Sequence, residues 1–243
     1  MRYLITFSYD GSAFSGYQRQ EGLRTVQEEM EKALEFINNG HKTILNGSGR
    51  TDKGVHALCG KAHVDMNVDI TEYHLKRALN SNLPDDIHVI TVEKVSDDFH
   101  ARYMVKEKEY KYYLNMGEYN PCMRKYVYQY NKKLNIEAMK KAIQYFLGTH
   151  NFKSFTPNKD KRENYVRTIN YVDINVDKDI VCFTFRGDGF IKYQIRNMVG
   201  YLLKVGEGKK SGDDIPHILL SENRRMASIT AHPEGLYLTD VIY

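Results

Sequence analysis

The sequence predicts an α+β protein built from two ferredoxin-like-derived α/β halves whose antiparallel sheets join into one extended sheet. Three observations lead there. Residues 2–95 run β-α-β-β-α-β, the order of a ferredoxin-like unit with its helices on one face of an antiparallel sheet. The rest of the chain repeats the strand and helix patterns with longer insertions. No repeat of short period and no low-complexity stretch separates the halves, and 243 residues suffice for one large domain or two ordinary ones, each with its own core.

In the first half, Tyr3, Ile5, Phe7 and Tyr9 alternate with Arg2, Leu4, Thr6 and Ser8, the period of a strand. Asp10–Gly11–Ser12 turns the chain. Phe14 to Gln20 then mixes two aromatics, amides and Arg19, side chains that can stack on bases and bond phosphates, or simply fold as a loop onto the sheet. Thr25 with Glu28 makes a capping box, and Val26, Met30, Ala33, Leu34 and Ile37 line one face of a helix that Asn39–Gly40 ends. A strand through Ile44–Leu45 leads into a Gly-rich loop, and another runs from Ala57 to about Val68. Thr71 caps a second helix, with Leu75, Ala78 and Leu79 on one side, that stops at Leu83–Pro84. Ile87 to Val95 reads as a strand with Ile87, Val89 and Thr91 on one face and Ile90 and Val92 on the other.

In the second half, Lys106 to Leu114 reads as a long aromatic strand. Asn135 caps a helix bearing Ile136, Met139, Ile143, Phe146 and Leu147, which Gly148 ends. A basic loop spans Pro157 to Asn164. Val166–Val176 and Ile180–Arg186 form a hairpin through Asp177–Lys178–Asp179. Ile195, Met198, Val199, Leu202 and Leu203 give a helical stripe ended by Gly206 to Gly208. Ser211 caps a last short helix, and Glu234 to Leu238 starts a final strand. The expected division is 1–103 and 104–243.

The formal charge of +4 is distributed unevenly. Residues 1–103 carry 12 basic against 15 acidic side chains, and residues 104–243 carry 23 against 16. Basic doublets recur at Arg124–Lys125, Lys132–Lys133, Lys140–Lys141, Lys209–Lys210 and Arg224–Arg225, with Lys159, Lys161, Arg162 and Arg167 clustered. The asymmetry predicts a nucleic acid held by its phosphates, mainly on the second half. No apolar run is long enough to span a membrane, and Met1 to Phe7 passes straight into a strand, so the expectation is no signal peptide and a cytoplasmic location. Cys59, Cys122 and Cys182 are odd in number and far apart, which predicts buried reduced thiols. His56 and His63 point to opposite faces of one strand and do not make a ligand pair. No P-loop, dinucleotide motif or metal-spaced cluster is present, so neither cofactor nor metal is expected.

The stretch with the most chemistry is Asn46 to Ala57, three glycines, an arginine and an acid between an apolar approach and a strand. By residue types it suits either a surface turn or a site that handles a polyanion. Gly49–Arg50–Thr51–Asp52–Lys53–Gly54–Val55–His56–Ala57 resembles the G-R-T-D-x-G-V-H-A signature of the tRNA pseudouridine synthase A family. Further segments match in the family's order. Tyr9 to Gln18 resembles Y-D-G-x-x-F-x-G-W-Q, with Tyr17 for Trp. Asp98 to Arg102 resembles D-F-H-A-R, and Lys108 to Tyr112 resembles the K-x-Y-x-Y-type segment. Asn151 to Phe155 resembles D-F-x-S-F with Asn for Asp. Phe190 to Gly200 resembles F-x-x-x-x-x-R-N-M-V-G, and Glu234 to Leu238 matches E-G-L-Y-L.

The resemblance implies the pseudouridine synthase fold and a cofactor-independent isomerase that converts uridine to pseudouridine in the anticodon stem-loop of tRNA, at positions 38, 39 and 40, as a homodimer. It implies a first half carrying the catalytic loop and a second half that contributes to RNA binding and the active-site cleft. Asp52 would be the nucleophile, Arg50 and Tyr110 catalytic partners, and Tyr110, Arg196, Arg19 and Arg102 substrate contacts. A neighbouring arginine favours the ionised carboxylate such chemistry needs. Arg50 could also fill the gap left by an extruded base. The alternatives are a paralogue with the same chemistry on another RNA, for which Tyr17, Lys53 and Gln194–Ile195 leave room, and a non-catalytic RNA-binding protein on this scaffold.

Overall fold

The computed structural model describes residues 1–157, 163–227 and 229–243; the basic cluster Lys159, Lys161 and Arg162 lies outside them. The regular elements are β1 (Arg2–Tyr9), α1 (Val26–Ile37), β2 (Asn46–Gly47), β3 (His56–Asp65), α2 (Glu72–Asn82), β4 (Ile87–Val95), β5 (Glu107–Asn115), β6 (Tyr128–Gln129), α3 (Ile136–Ile143), β7 (Gly148–Asn151), β8 (Val166–Asp177), β9 (Ile180–Gly187), α4 (Gln194–Gly206), α5 (Ile215–Ser221) and β10 (Leu236–Ile242). Single 3-10 turns fill several connections. Among the described residues, no helix is long and apolar enough to cross a membrane. The chain forms two compact units, Met1–Lys106 with Tyr237–Tyr243, and Glu107–Leu236. A single cut after residue 103 leaves out the return of the last strand to the first unit.

In the first unit, β1 is antiparallel to β4 on one side and to β3 on the other. The free edge of β3 is shared. The two-residue β2 pairs antiparallel with His63 and Ala62, and β10 pairs parallel with His56 and Ala57. The expected strand at Ile44–Leu45 is therefore only a stub at 46–47, and one pairing in an otherwise antiparallel sheet is parallel. The Ser48 N–H still donates to the Lys61 carbonyl at 2.8 Å, and among the described residues no strand pairs with 49–55, which form a loop. Thr25 and Thr71 accept the backbone N–H groups of Glu28 and His74 and so cap α1 and α2. Val26, Met30, Leu34, Leu75 and Leu79 pack beneath Ile5, Phe7, Ala62, Val64 and Val89, all fully buried.

The other face of this sheet is also covered, so Leu4 and Thr6 are buried where alternation predicts exposure. Arg2 reaches the carbonyls of Asp97 and Phe99, and Phe99 lies edge-on to Tyr243, drawing residues 96–106 across the strands. The expected alternation of β4 fails too. Its register against β1 slips between Thr91 and Val89, and the extra residue, Ile90, turns outward. Val92 then faces in and Thr91 out, the effect of a bulge on side-chain phase.

In the second unit, β5, β9, β8 and β7 form an antiparallel sheet in that order, with the short β6 parallel to β5. The β8–β9 hairpin turns through Lys178, held at φ 56°. Tyr112, Leu114, Val181, Phe183, Phe185 and Ile174 are buried with Met139 and Ile143 of α3 and Met198, Val199 and Leu202 of α4. Among the cysteines the expectation of burial fails: Cys122 is exposed on an Asx turn, its N–H donated to Asn120 Oδ1, and Cys59 and Cys182 are half-buried.

Candidate active site

The loop between β2 and β3 holds Arg50, exposed, and Asp52, half-buried, on either side of Thr51. Thr51 is engaged through both of its polar groups. Its Oγ1 lies 2.8 Å from the Tyr9 hydroxyl, and its carbonyl accepts the Tyr17 N–H at 3.1 Å. After Asp52, a turn closes by the Val55 N–H donating to the Asp52 carbonyl at 3.1 Å, with Gly54 at φ 78°, the conformation a type II turn demands at its third residue. His56 is buried, its Nδ1 accepting the Gly11 N–H at 3.0 Å and its ring stacked 4.7 Å from that of Tyr237.

The partners of this loop come from residues 9–17. Backbone meets backbone there without an intervening side chain: a Cβ on Gly11 would sit 2.0 Å from the Val55 carbonyl oxygen, and one on Gly16, whose φ is +104°, would sit 2.9 Å from the Thr51 oxygen. Of the two uses open to the Phe14–Gln20 segment, its aromatics take the structural one. Phe14 and Tyr17 are buried, with Tyr17 seated on Gly47, where a Cβ would be 2.4 Å from its hydroxyl. Burial pushes the Tyr17 hydroxyl pKa far up, and the group has no hydrogen-bond partner among the described residues.

Arg19 projects past this frame, its side chain 63% exposed and paired with Glu31 at 3.1 Å. Arg102 is also exposed, on a turn fixed by two histidines. The Ala101 N–H donates to His63 Nδ1 at 3.0 Å, and the Arg102 N–H to His100 Nδ1 at 3.1 Å. His63 is seven residues along β3 from His56, about 23 Å at strand rise. The Arg102 turn is thus anchored far from the Asp52 loop. Burial, with Arg2 and His100 nearby, lowers the His63 pKa to about 4.

On the second unit, Tyr110 is buried in β5 opposite Phe185, with the ring of Phe190 edge-on at 5.2 Å. Arg196 lies on the first turn of α4, half-buried, donating Nε–H to the Ala231 carbonyl at 2.8 Å, its guanidinium 4.8 Å from the Tyr193 ring centre. Tyr193, at φ 62°, precedes the helix in the left-handed region. The next residue, Asn197, is a hub that motif reading passes over. It is fully buried, donates to the Phe155 carbonyl at 2.6 Å, and accepts from Thr230 at 2.6 Å and Arg224 at 3.0 Å. Gly200 lets residues 229–231 lie directly on α4, since a Cβ there would be 2.6 Å from the Ile229 oxygen.

The first unit therefore presents an acid and a guanidinium on one rigid loop, and the second an aromatic phenol and a tethered guanidinium. The chain as a whole is similar to proteins of one family. A family model described as tRNA pseudouridine synthase matches residues 5–104 and 142–243. Curated relatives from Streptococcus pyogenes serotype M49 (strain NZ131) and serotype M1, both named tRNA pseudouridine synthase A, are 46% identical over 246 residues, covering 100% of this chain and 99% of theirs. A chain from the crystal structure of a Cbf5-Nop10-Gar1 complex shows a loose likeness, with a TM-score of 0.42 and 13% identity over 98% of this chain and 48% of that one.

Proposed function

Since the chain belongs to the tRNA pseudouridine synthase family and is an isomerase that pseudouridylates tRNA, we propose that Asp52 is the nucleophile and that its targets are uridines 38, 39 and 40 of the anticodon stem-loop. The reaction breaks the glycosidic C–N bond, turns the uracil and rejoins it through C5, whose hydrogen leaves as a proton. An ionised carboxylate serves the first half of that sequence. The observation that carries this reading is the placement of Asp52 beside Arg50 on a loop whose intervening residue is held inward through both its hydroxyl and its carbonyl.

Arg50, exposed and planar, replaces the extruded base in the stack or holds the flipped phosphate, offsetting a cost of about a few kcal/mol of stacking. Tyr110 stacks on the uracil and exchanges a proton with it as the new bond forms. Arg196, Arg19 and Arg102 contact phosphates. The distance along β3 between the anchors of the Asp52 and Arg102 loops suits an extended polyanion rather than a free nucleoside. The protein works in the cytoplasm as a homodimer, and residues 107–236 supply much of the RNA contact.

The deciding assay uses tRNA with tritium at uridine C5. Wild-type protein releases tritium to water, and Asp52→Asn loses about 10³-fold or more in rate. Release at the wild-type rate by Asp52→Asn would sink the assignment. Mapping of modified sites in the product tests positions 38, 39 and 40. Light scattering, expected to give twice 28.3 kDa, tests the dimer.

A further inference from the structure

The geometry points to Tyr9 as a positioning residue for the isomerisation: through Thr51, its hydroxyl ties the Arg50–Asp52 pair to the first strand. This rests on the assignment of Asp52 above. Tyr9 ends β1, where its backbone is paired with Ala57 on one side and Ile87 on the other. Its ring is buried, 6.1 Å from Phe7 and edge-on to Phe14 at 6.5 Å, so the hydroxyl has little freedom of direction. That hydroxyl lies 2.8 Å from Thr51 Oγ1.

Thr51 is the residue through which both functional neighbours can be set at once. Its carbonyl is held by the Tyr17 N–H, which fixes the chain's path, and its side chain is held by Tyr9, which fixes rotation about that path. Downstream, the Val55 N–H to Asp52 carbonyl bond and the close approach of Gly11 to Val55 limit the loop on its other side. Removing the Tyr9–Thr51 bond leaves the loop attached but free to rotate at the one residue between the guanidinium and the acid. Reaction rates are sensitive to such displacements, with about 10²-fold lost for a misplacement of about 1 Å.

Tyr17 supplies the contrast within the same frame. Its ring is buried as Tyr9's is, but its hydroxyl has no partner among the described residues. Deleting that hydroxyl tests the loss of an oxygen from this region without the loss of the tie.

The experiment measures tritium release from C5-labelled tRNA by the full chain. Tyr9→Phe and Thr51→Val are expected to lower kcat about 10- to 100-fold with KM for tRNA changed less than about twofold. Thr51→Ser, which keeps the hydroxyl, restores most of kcat. The double variant Tyr9→Phe with Thr51→Val is no slower than the slower single, because both cut the same bond. Tyr17→Phe keeps the wild-type kcat.

A wild-type kcat in Tyr9→Phe, beside an inactive Asp52→Asn, overturns the positioning role and leaves the nucleophile in place. So does an equal fall in Tyr17→Phe, or a fall expressed in KM. A fully active Asp52→Asn overturns the reading beneath it instead. Should Thr51→Val fail to fold, Tyr9→Phe and Thr51→Ser decide the matter together.

Discussion

Asp52 sits on a loop held by close backbone contacts to residues 9–17 and by one hydroxyl pair, Tyr9 with Thr51, whereas Arg196 sits on a helical turn anchored by the neighbouring Asn197 amide and by the Ala231 N–H donated to the Arg196 carbonyl. The first arrangement uses glycines, so that Gly11 and Gly16 let one strand-end loop lie against another. The second uses the amide of Asn197, which joins the Phe155, Arg224 and Thr230 segments beneath the turn that carries Arg196. A loop has no internal ladder to stiffen it, so its rigidity has to come from close packing of main chain and from ties such as the Thr51 hydroxyl. A helix is stiff already and needs only to be anchored and turned to the right azimuth.

The comparison breaks most severely at Gly11. Gly11→Ala puts a methyl group 2.0 Å from a carbonyl oxygen, and the expected loss is about 3 kcal/mol or more, read from the urea midpoint, together with activity. At the far end of β3, histidine replaces glycine as the device. His63 has a folded pKa of about 4 against an unfolded value of about 6.5, so the unfolded chain binds the extra proton. The contribution is complete above about pH 6.5 and is lost as pH falls to about 4, at most about 3 kcal/mol. Denaturant titrations across that range should show the slope, and His63→Gln should flatten it.

For the helical turn, Asn197→Ala leaves the Phe155 carbonyl and the Thr230 and Arg224 donors without this partner, with an expected cost of about 2–3 kcal/mol in the urea midpoint. Gly200→Ala meets the Ile229 oxygen at 2.6 Å, but the helix gains about 1 kcal/mol from alanine, so the net loss is about 1–2 kcal/mol. The smallest effect belongs to Tyr17→Phe, which removes a buried hydroxyl without a partner among the described residues. Its stability, read from the thermal midpoint, should stay level or rise, by about 1 kcal/mol at most.

Much of the fold was legible because the signals are local. Thr25, Thr71 and Asn135 cap helices where their positions before apolar stripes predict, and each accepts an N–H from the first turn. The Lys178 hairpin and the helix beginning near Gln194 follow from the same kind of pattern. The bulge at Ile90 was not legible, because the slip is between two strands and leaves no mark in the composition of either. Phe14 and Tyr17 were ambiguous for a related reason. An aromatic residue in a loop looks the same in sequence whether it faces a ligand or the core.

At the candidate site, sequence alone determined the membership of the Arg50–Asp52 loop, the amphipathic faces of the helices and the family, since each depends on residues adjacent in the chain or at fixed helical spacing. Tertiary structure decided what holds that loop. Tyr9 and Thr51 are 42 residues apart, and the contact between them depends on the pairing of β1 with β3, whose register shifts between Phe7 and Tyr9 and sets Tyr9 opposite Ala57. It also decided that the last strand lies parallel beside His56 and Ala57, on the edge that β2 leaves open. Hydrogen bonds across such distances depend on which strands become neighbours, and that choice is made by burial of the whole sheet rather than by any one segment.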